Sequence, residues 1–216
     1  MKTKDKLSKN QLRRFPEYLN FLRKCEETGI HFVNAQMMAD ALNLNQEQVR
    51  KDIAAVSTVS GVPNRGRNVI QLIKDIEVVL GYDETHNAIL VGVGSLGKAL
   101  LNYDGFKAFG LTIIAAFDPR EELVGATINE VRVYDTHRMC GTLKNFDAHI
   151  GIICVPGAVA QSVADELVDN GIEAIWNFAP VRLNLPANII VSNMNMATSL
   201  AELSHKLYLK REKEKN

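Results

Sequence analysis

The sequence of 216 residues is poor in cysteine, and its three cysteines, Cys25, Cys140 and Cys154, stand far apart. An odd number at wide spacing excludes a disulfide framework and a paired-cysteine zinc site. The sequence has no apolar run of the ~18–20 residues that a membrane span needs, and its lysine-rich start lacks the apolar segment of a secretory signal. We therefore expect a reduced, cytoplasmic protein without a metal site.

Net charge is absent as well, because 25 lysines and arginines balance 25 aspartates and glutamates. The charges are unevenly placed: residues 1–70 hold 12 basic and 7 acidic residues, and residues 71–216 carry the opposite excess. The length allows one large domain or two small ones. A basic first part joined to an acidic remainder favours two modules, the first with a polyanionic partner, although a chance partition of charge gives the same balance.

The basic part has the spacing of a helix-turn-helix. Apolar residues predict a first helix that begins at Pro16 and ends before Gly29, and a second that Asn34 caps. A third helix starts at Asn45, in an N-x-x-Q capping box, and its apolar positions fall at i, i+4 and i+7. The opposite, solvent-facing side carries polar and basic residues: Gln46, Gln48, Arg50 and Lys51.

These side chains suit the reading of DNA. Glutamine and arginine have the hydrogen-bonding geometry for adenine and guanine edges, and lysine neutralises phosphate. The turn-rich residues 60–68 that follow contain Arg65 and Arg67 around a glycine, which is typical of a wing that enters a narrow minor groove. The alternative is that these cations form an ordinary solvated surface.

A nucleotide-binding pattern begins near residue 88. The apolar stretch 88–91 predicts a buried parallel strand, and it runs directly into G-x-G-x-x-G. In this motif Gly92 permits the tight turn, Gly94 lets backbone amides approach a pyrophosphate, and Gly97 lets the following helix pack on the strand. The candidate cofactor-binding residues of this segment are Gly92, Val93, Gly94, Ser95, Leu96 and Gly97.

An acidic residue stands where such a motif needs one. A second strand, predicted over 111–117, ends at Asp118, which is 21 residues after Gly97. A carboxylate at this place accepts hydrogen bonds from both ribose hydroxyls and repels a 2′-phosphate, so we predict NAD(H) rather than NADP(H) as the cofactor. Arg120, two residues later, is the feature that argues the other way.

Strands and helices continue to alternate after this point, which predicts a mostly parallel sheet covered on both faces. Ligands bind beyond the carboxyl ends of such strands. The loops at those ends supply further candidate cofactor-binding residues: Val155, Pro156, Asn177, Phe178, Ala179 and Pro180. For each loop alone, plain turn chemistry is the alternative.

The fold class predicted from these patterns is α/β, with three segments. An N-terminal winged helix-turn-helix domain (1–80) precedes a Rossmann-type parallel-sheet domain (81–194) and a C-terminal helix (195–216). The last helix carries an apolar stripe, which packs on its own domain or crosses to a partner subunit.

No feature of the sequence supplies catalysis. The five histidines are scattered, and none lies in an Asp–His, Ser–Lys or metal-like cluster. A nicotinamide dehydrogenase also needs a substrate domain, for which the chain leaves no room. We therefore predict that the dinucleotide is sensed rather than used and that the chain is not an enzyme. Two alternatives stay open: an NAD-dependent oxidoreductase, and a regulator that binds another nucleotide such as CoA, or none.

From about residue 12 to residue 208, the sequence resembles the Rex family of bacterial redox-sensing transcriptional repressors. The most specific segments are residues 48–52 (QVRKD), 91–97 (VGVGSLG), 116–118 (AFD), 155–156 (VP) and 177–181 (NFAPV). The resemblance implies a homodimer in which the C-terminal helix is swapped into the partner. It also implies that the chain binds palindromic operator DNA when NADH is scarce and releases it when NADH rises, with NAD⁺ as the competing ligand.

The resemblance further implies an interdomain switch, in which this sequence departs from the family. Some members link an arginine of the first helix, a tyrosine after the glycine motif and an aspartate at the start of the swapped helix. The tyrosine matches Tyr103, but the other positions hold Asn20 and Asn195, so amide hydrogen bonds would replace a charged link. Met196 stands where members place Phe or Leu against the nicotinamide, which implies a softer contact and weaker NADH/NAD⁺ discrimination.

Overall fold

The structure is a computed structural model, and it describes residues 7–63, 65–194 and 196–215. The chain forms two compact units, Met1–Thr85 and His86–Asn216. The division lies shortly after α4 (Val69–Leu80), whose C-cap is the left-handed Gly81. Each unit has a hydrophobic core of its own.

The described residues of the first unit form four helices and a two-stranded sheet. Before α4 come α1 (Lys9–Glu27), β1 (Phe32–Val33), α2 (Ala35–Leu42), α3 (Gln46–Val56) and β2 (Arg67–Asn68). β1 pairs antiparallel with β2, which ties the segment after α1 to the strand before α4. The apolar faces of the helices share one core, in which the most buried side chains include Phe15, Leu19, Leu22, Met38, Val49 and Ile76.

The first helix begins at Lys9, seven residues before the start predicted at Pro16. Ser8 caps it in a capping box: the Ser8 hydroxyl accepts a hydrogen bond from the Gln11 backbone N–H at 3.3 Å, and the Gln11 side chain accepts one from the Ser8 N–H at 2.9 Å. Pro16 therefore lies inside α1, where it removes one backbone hydrogen bond. The predicted start was wrong because the apolar pattern does not extend to the polar cap at Ser8, where the helix begins.

The second unit is built on one large sheet. Its elements are β3 (His86–Val91), α5 (Ser95–Leu101), a 3₁₀ helix (Asp104–Phe109), β4 (Leu111–Asp118), β5 (Thr127–Ile128), β6 (Val131–Asp135), a 3₁₀ turn (Thr136–Arg138), α6 (Met139–Leu143), β7 (Ile150–Ile153), α7 (Gly157–Asp169), β8 (Ala174–Asn177), β9 (Ile190–Asn193) and α8 (Met196–Lys215). The strand order is β5-β6-β4-β3-β7-β8-β9, and every pair is parallel except β5 with β6.

This order confirms the predicted α/β class with a Rossmann-type sheet. Chain connections run outward from β3 in one direction through β4 and β6, and in the other through β7, β8 and β9. The order therefore reverses between β3 and β7, which is the place where ligands bind in sheets of this type. The glycine motif follows β3 and the Val155–Pro156 loop follows β7, so both lie at this edge.

Helices cover the two faces of the sheet unequally. Side chains of α6 and α7 pack on one face, and α5 packs on the other. Toward β8 and β9 the second face stays open, with Trp176 half-buried and Ile190 71% exposed. The apolar side chains of α8 are exposed as well: Leu200, Leu203, Leu207, Tyr208 and Leu209.

Candidate nucleotide site and DNA-binding surface

The glycine-rich loop after β3 fixes the backbone at the carboxyl edge of the sheet. Gly92 has a φ of +99°, which favours glycine, and its N–H donates to the Phe117 carbonyl at 2.8 Å. A Cβ on Gly92 would lie 2.5 Å from the Cys154 carbonyl oxygen, and one on Gly97 would overlap the Gly92 carbonyl. Both positions need glycine for the fold itself.

Gly94 differs from these two glycines, because a Cβ built there would meet no protein atom within 4 Å. Gly94 is the N-cap residue of α5, which begins at Ser95. The loop therefore keeps open space beside its backbone, as the close approach of a pyrophosphate requires. Of the intervening side chains, Val93 is buried, Leu96 is half-buried and Ser95 is exposed.

Asp118 ends β4 beside this loop, and only 3% of its surface is exposed. Its Oδ2 accepts hydrogen bonds from the Val93 N–H at 2.7 Å and from Arg120 Nη2 at 3.0 Å. Its Oδ1 accepts from the Arg120 backbone N–H at 3.1 Å and from Arg120 Nε at 2.8 Å. Burial alone raises the pKa of Asp118, but these hydrogen bonds outweigh it and hold the pKa below its ordinary value.

The loop after β7 lies directly against the glycine loop. A Cβ on Gly92 would lie 2.9 Å from Val155 Cγ1, while Pro156 is exposed and caps α7. Burial raises the pKa of the neighbouring Cys154 thiol to about 12, so that thiol stays protonated and brings no charge to this edge.

Asn177 organises the loop after β8 and is itself fully buried. Its Nδ2 donates to the Val181 carbonyl at 2.8 Å and to Asn193 Oδ1 at 2.9 Å, and its Oδ1 accepts from the Ala179 N–H at 3.0 Å. Because both amide hydrogens are used inside the protein, Asn177 has no donor left for a ligand. It instead fixes the loop that carries three other predicted residues, namely half-buried Phe178, buried Ala179 and exposed Pro180.

The predicted DNA-reading face of α3 is largely exposed. Gln46, Arg50 and Lys51 are exposed, and Gln48 is half-buried. Arg50 Nη2 contacts Glu47 Oε2 at 2.7 Å, in a surface pair that is about two-thirds exposed on the arginine side. A cation that is this accessible can exchange its carboxylate partner for a phosphate at little cost.

A buried ion pair on the inward face of α3, next to Gln48, holds that helix against α1. Arg14 donates to both carboxylate oxygens of Asp52, from Nε at 2.7 Å and from Nη2 at 2.9 Å, and the Tyr18 hydroxyl adds a bond at 2.8 Å. With its amide oxygen turned toward α1, Gln48 accepts a further hydrogen bond from Arg14 Nη1 at 2.7 Å. Arg14 therefore anchors α3 and orients one of the predicted DNA-reading side chains.

The segment predicted as a wing forms a short hairpin. The Val62 and Gly66 backbones exchange hydrogen bonds of 2.7 and 2.9 Å, and a Cβ on Gly66 would overlap the Val33 carbonyl. Arg65 is exposed, with its guanidinium 5.4 Å from the centre of the Phe32 ring. Arg67 is half-buried and donates to the Val59 carbonyl, so it ties the base of the hairpin.

The four predicted switch residues are described to different degrees. Asn20 is exposed on α1 in the first unit. Tyr103 belongs to the second unit, is 52% exposed, and packs edge-on against Phe106 with ring centres 4.8 Å apart. Asn195 lies outside the described residues, and Met196 begins α8 without a described side chain.

The sequence reasoning missed Arg14 and Asp52, although a signal for the aspartate was present. Asp52 lies on the inward face of α3, between the buried Val49 and Val56. A charged side chain on an apolar helix face needs an opposite charge and hydrogen bonds. That rule predicts a partner for Asp52, but it does not say which of the six arginines in residues 1–70 fills the role.

In the described part of the chain, no group of three histidine, cysteine, aspartate or glutamate side chains could hold a metal ion. Within the same residues, the helices are too short or too polar to cross a membrane.

Two family models match separate parts of the chain. The model described as "Putative DNA-binding protein N-terminus" matches residues 6–54, and the one described as "CoA binding domain" matches residues 83–181. A redox-sensing transcriptional repressor Rex from Bacteroides thetaiotaomicron is 38% identical, over 94% of this chain and 91% of its own length.

Crystal structures of the Rex-family repressor RSP are similar to the whole chain. RSP in complex with β-NAD⁺ and operator DNA has a TM-score of 0.87 at 31% identity, covering 97% of this chain and 96% of that one. RSP in complex with β-NADH has a TM-score of 0.83 at 31% identity, covering 97% and 98%. These similarities confirm the resemblance seen in the sequence: the chain belongs to the Rex family of redox-sensing transcriptional repressors.

Proposed function

We propose that this chain is a cytoplasmic transcriptional repressor that senses the NADH/NAD⁺ ratio. Its first unit binds operator DNA, and NADH bound to its second unit releases that DNA. The observation that carries the proposal is that one Rex-family chain combines an exposed basic face on α3 with an open glycine loop beside a buried carboxylate. The first feature suits a polyanion and the second suits a dinucleotide.

In this proposal the dinucleotide binds along the carboxyl edge of the sheet. The backbone of residues 92–97 holds the pyrophosphate, and Asp118 holds the adenosine ribose. Val155, Pro156, Phe178, Ala179 and Pro180 line the nicotinamide side, while Asn177 acts through the loop that it fixes. The free space at Gly94 and the reversal of strand order next to the loop support this orientation.

The DNA contacts divide between two elements of the first unit. Gln46, Gln48, Arg50 and Lys51 on α3 contact the major groove. Arg65 enters the minor groove, and Arg67 supports the hairpin from which Arg65 projects. Exposure of Arg65 and the bond from Arg67 to the Val59 carbonyl support this division.

We further propose that the active species is a homodimer on a palindromic operator. The leucines of α8 are between 45% and 64% exposed, and Ile190 on the open sheet face is 71% exposed. Apolar surface of this extent is buried in a stable soluble assembly, and a second copy that receives α8 covers both patches. The switch residues that the family resemblance implies, Asn20, Tyr103, Asn195 and Met196, stay a prediction.

The coupling must be strong for such a repressor to switch. To take DNA occupancy from 99% to 1%, NADH must prefer the DNA-free state by about 10⁴-fold, or ~5.5 kcal/mol. Two nucleotide sites per dimer share that requirement. Because NAD⁺ competes for the same sites, the ratio of the two forms is the signal.

The test is retention of an operator that is first selected from a library of palindromic DNA duplexes. We expect NADH to release the DNA, and NAD⁺ to raise the NADH concentration that is needed. Asp118→Ala should retain DNA binding and require more NADH. If no concentration of NADH releases the DNA from the wild-type chain, the proposal is wrong.

A second candidate ligand is CoA, because the matching family model for residues 83–181 is described as a CoA binding domain. CoA shares the adenosine and pyrophosphate with NADH but has no nicotinamide. Release of operator DNA by CoA, with no response to NADH, would favour this candidate over the redox sensor.

A further inference from the structure

The carboxylate of Asp118 has no hydrogen-bonding capacity left. An ionised carboxylate offers about four lone-pair positions. Four donors already fill them: the Val93 N–H, and the backbone N–H, Nε and Nη2 of Arg120, at distances from 2.7 to 3.1 Å. A ribose that donates its hydroxyl hydrogens to Asp118 must therefore displace one or more of these donors.

The side chain of Arg120 is the donor that can leave. The other two donors are backbone groups, whereas 46% of the Arg120 side chain is exposed and can turn into water. Its departure also breaks the bond from Nη2 to the Val93 carbonyl at 3.0 Å, so the guanidinium covers both Asp118 and the start of the glycine loop. The Arg120 side chain thus covers two parts of the proposed nucleotide site, the carboxylate of Asp118 and the backbone at Val93.

Once displaced, the guanidinium remains close to the ribose position. Only Pro119 separates Arg120 from Asp118, and proline restricts the backbone between them. Guanidinium groups bind phosphate in bidentate fashion. Adenine nucleotides differ at this place: NADH has free 2′ and 3′ hydroxyls, NADPH carries a 2′-phosphate and CoA a 3′-phosphate. The exposed Glu121 and Glu122 oppose a phosphate, but salt screens charges in such positions.

We propose that Arg120 is a specificity-determining residue of this site. It competes with an unphosphorylated adenosine ribose for Asp118, and it binds the phosphate monoester of a phosphorylated ribose. The inference rests on the proposed function, because it takes the glycine loop and Asp118 as the nucleotide site. Asp118 repels a phosphorylated ribose and Arg120 attracts it. This chain therefore discriminates against a phosphorylated ribose less strongly than a chain with Asp118 but without Arg120.

Calorimetric titration of the full chain with NADH, NADPH and CoA tests the proposal. Arg120→Ala should tighten NADH about threefold, because a half-exposed ion pair no longer competes. It should weaken NADPH about tenfold, because a charge-assisted phosphate contact is lost. The ratio of the two dissociation constants should therefore change about thirtyfold. Lys107→Ala, which removes an exposed cation at the other end of β4, should leave the ratio unchanged.

NADPH and CoA distinguish recognition of a 2′-phosphate from recognition of a 3′-phosphate. A loss of NADPH affinity alone in Arg120→Ala supports recognition of a 2′-phosphate, and a loss of CoA affinity alone supports a 3′-phosphate. Arg120→Lys keeps the charge without the bidentate geometry and should recover part of either loss. Equal factors for all three ligands, or no change for any, would overturn the proposal.

A spectroscopic measurement tests the displacement itself. In ¹⁵N-arginine-labelled protein the Arg120 Nε–H should be protected from exchange in the free chain and lose that protection as NADH is added. Protection that persists at NADH saturation overturns the inference while leaving NADH binding intact. Failure of both NADH and NADPH to bind the wild-type chain would instead contradict the proposed function.

Discussion

Each unit of the protein contains a buried aspartate that binds an arginine, but the two pairs join different things. Asp52 on α3 is bound by Arg14 on α1, 38 residues away, whereas Asp118 is bound by Arg120, two residues away. Arg14 is 17% exposed and Arg120 is 46% exposed. The first pair holds two helices together, and the second covers the glycine-rich loop that we propose as the nucleotide site.

Burial and sequence separation therefore decide what such an ion pair does. A buried pair between distant elements stabilises a fold, because removal of one partner leaves an uncompensated charge inside. A local, half-exposed pair contributes little stability and can open. The pair of Glu47 and Arg50 on α3 is a third carboxylate–arginine pair, and it is the most exposed of the three.

The largest effect is expected for Arg14→Met. Losing the partner of a buried charge costs about 3–5 kcal/mol, and the partial exposure of Arg14 favours the lower end. In urea unfolding, the substitution should lower the free energy of unfolding of the first unit by about 3 kcal/mol. Trp176, the only tryptophan, lies in β8, so its fluorescence reports the second unit while far-UV circular dichroism reports both.

A matched control for this prediction is Arg23→Met. Arg23 pairs with Glu77 at 2.8 Å, and both side chains are 27% exposed, so the loss should stay below about 1 kcal/mol. Equal losses for the two variants would contradict the difference in role. The double variant Arg14→Met, Asp52→Leu should recover part of the stability, because it no longer leaves a buried charge unpaired.

A pair of glycine variants separates positions that serve the fold from positions that serve the ligand. A Cβ in Gly97→Ala overlaps the Gly92 carbonyl, and such overpacking costs about 1–3 kcal/mol. The Cβ in Gly94→Ala meets no protein atom, so the second unit should keep its stability. Its NADH affinity should fall about tenfold, because the methyl group enters the space that we propose for the pyrophosphate. Urea unfolding and calorimetry measure the two effects. A stability loss for Gly94→Ala would refute the separation.

Much of the fold follows from local rules that operate within a few residues. Asn34 and Asn45 cap α2 and α3 as predicted, because their side chains reach backbone N–H groups only three residues ahead. Only one of the two hydrogen bonds of the capping box predicted at Asn45 forms. The Asn45 side chain accepts from the Gln48 N–H, but the Gln48 side chain faces Arg14 instead of the Asn45 N–H. The G-x-G-x-x-G motif likewise specifies its own turn, through the positive φ of Gly92.

What could not be predicted depends on contacts between distant segments. Nothing local connects Arg14 with Asp52, and Asn177 is occupied by Asn193 and Val181, which a motif comparison does not reveal. Asp118 combines a predictable feature with an unpredictable one. Its place at the end of β4 follows from strand length and from its spacing after the glycine motif. The closure of Arg120 over it depends on a side-chain conformation that no periodicity encodes.

Acid should affect Asp118 in a predictable direction. Its pKa in the folded chain lies below the ordinary value of about 4, so its contacts stabilise the second unit above that pH and lose effect as pH falls toward the lowered pKa. Because the Arg120 side chain is about half exposed, water screens the pair and the contribution should be small. Asp118→Asn should be less stable at pH 7 and decline less steeply below pH 4. Parallel acid profiles from Trp176 fluorescence would argue against this assignment.

The smallest effect is expected for Glu47→Gln, in the most exposed of the three ion pairs. The substitution releases Arg50 and removes a negative charge from the side of α3 that we propose contacts DNA. DNA affinity should rise about twofold to threefold at low salt and converge with the wild type at high salt, because an exposed pair is screened. Glu26→Gln, at an exposed acid on α1, should change affinity less. A fall in affinity for the selected operator alone would mean that Glu47 itself accepts a hydrogen bond from a cytosine, so that the pair reads a base rather than restrains an arginine.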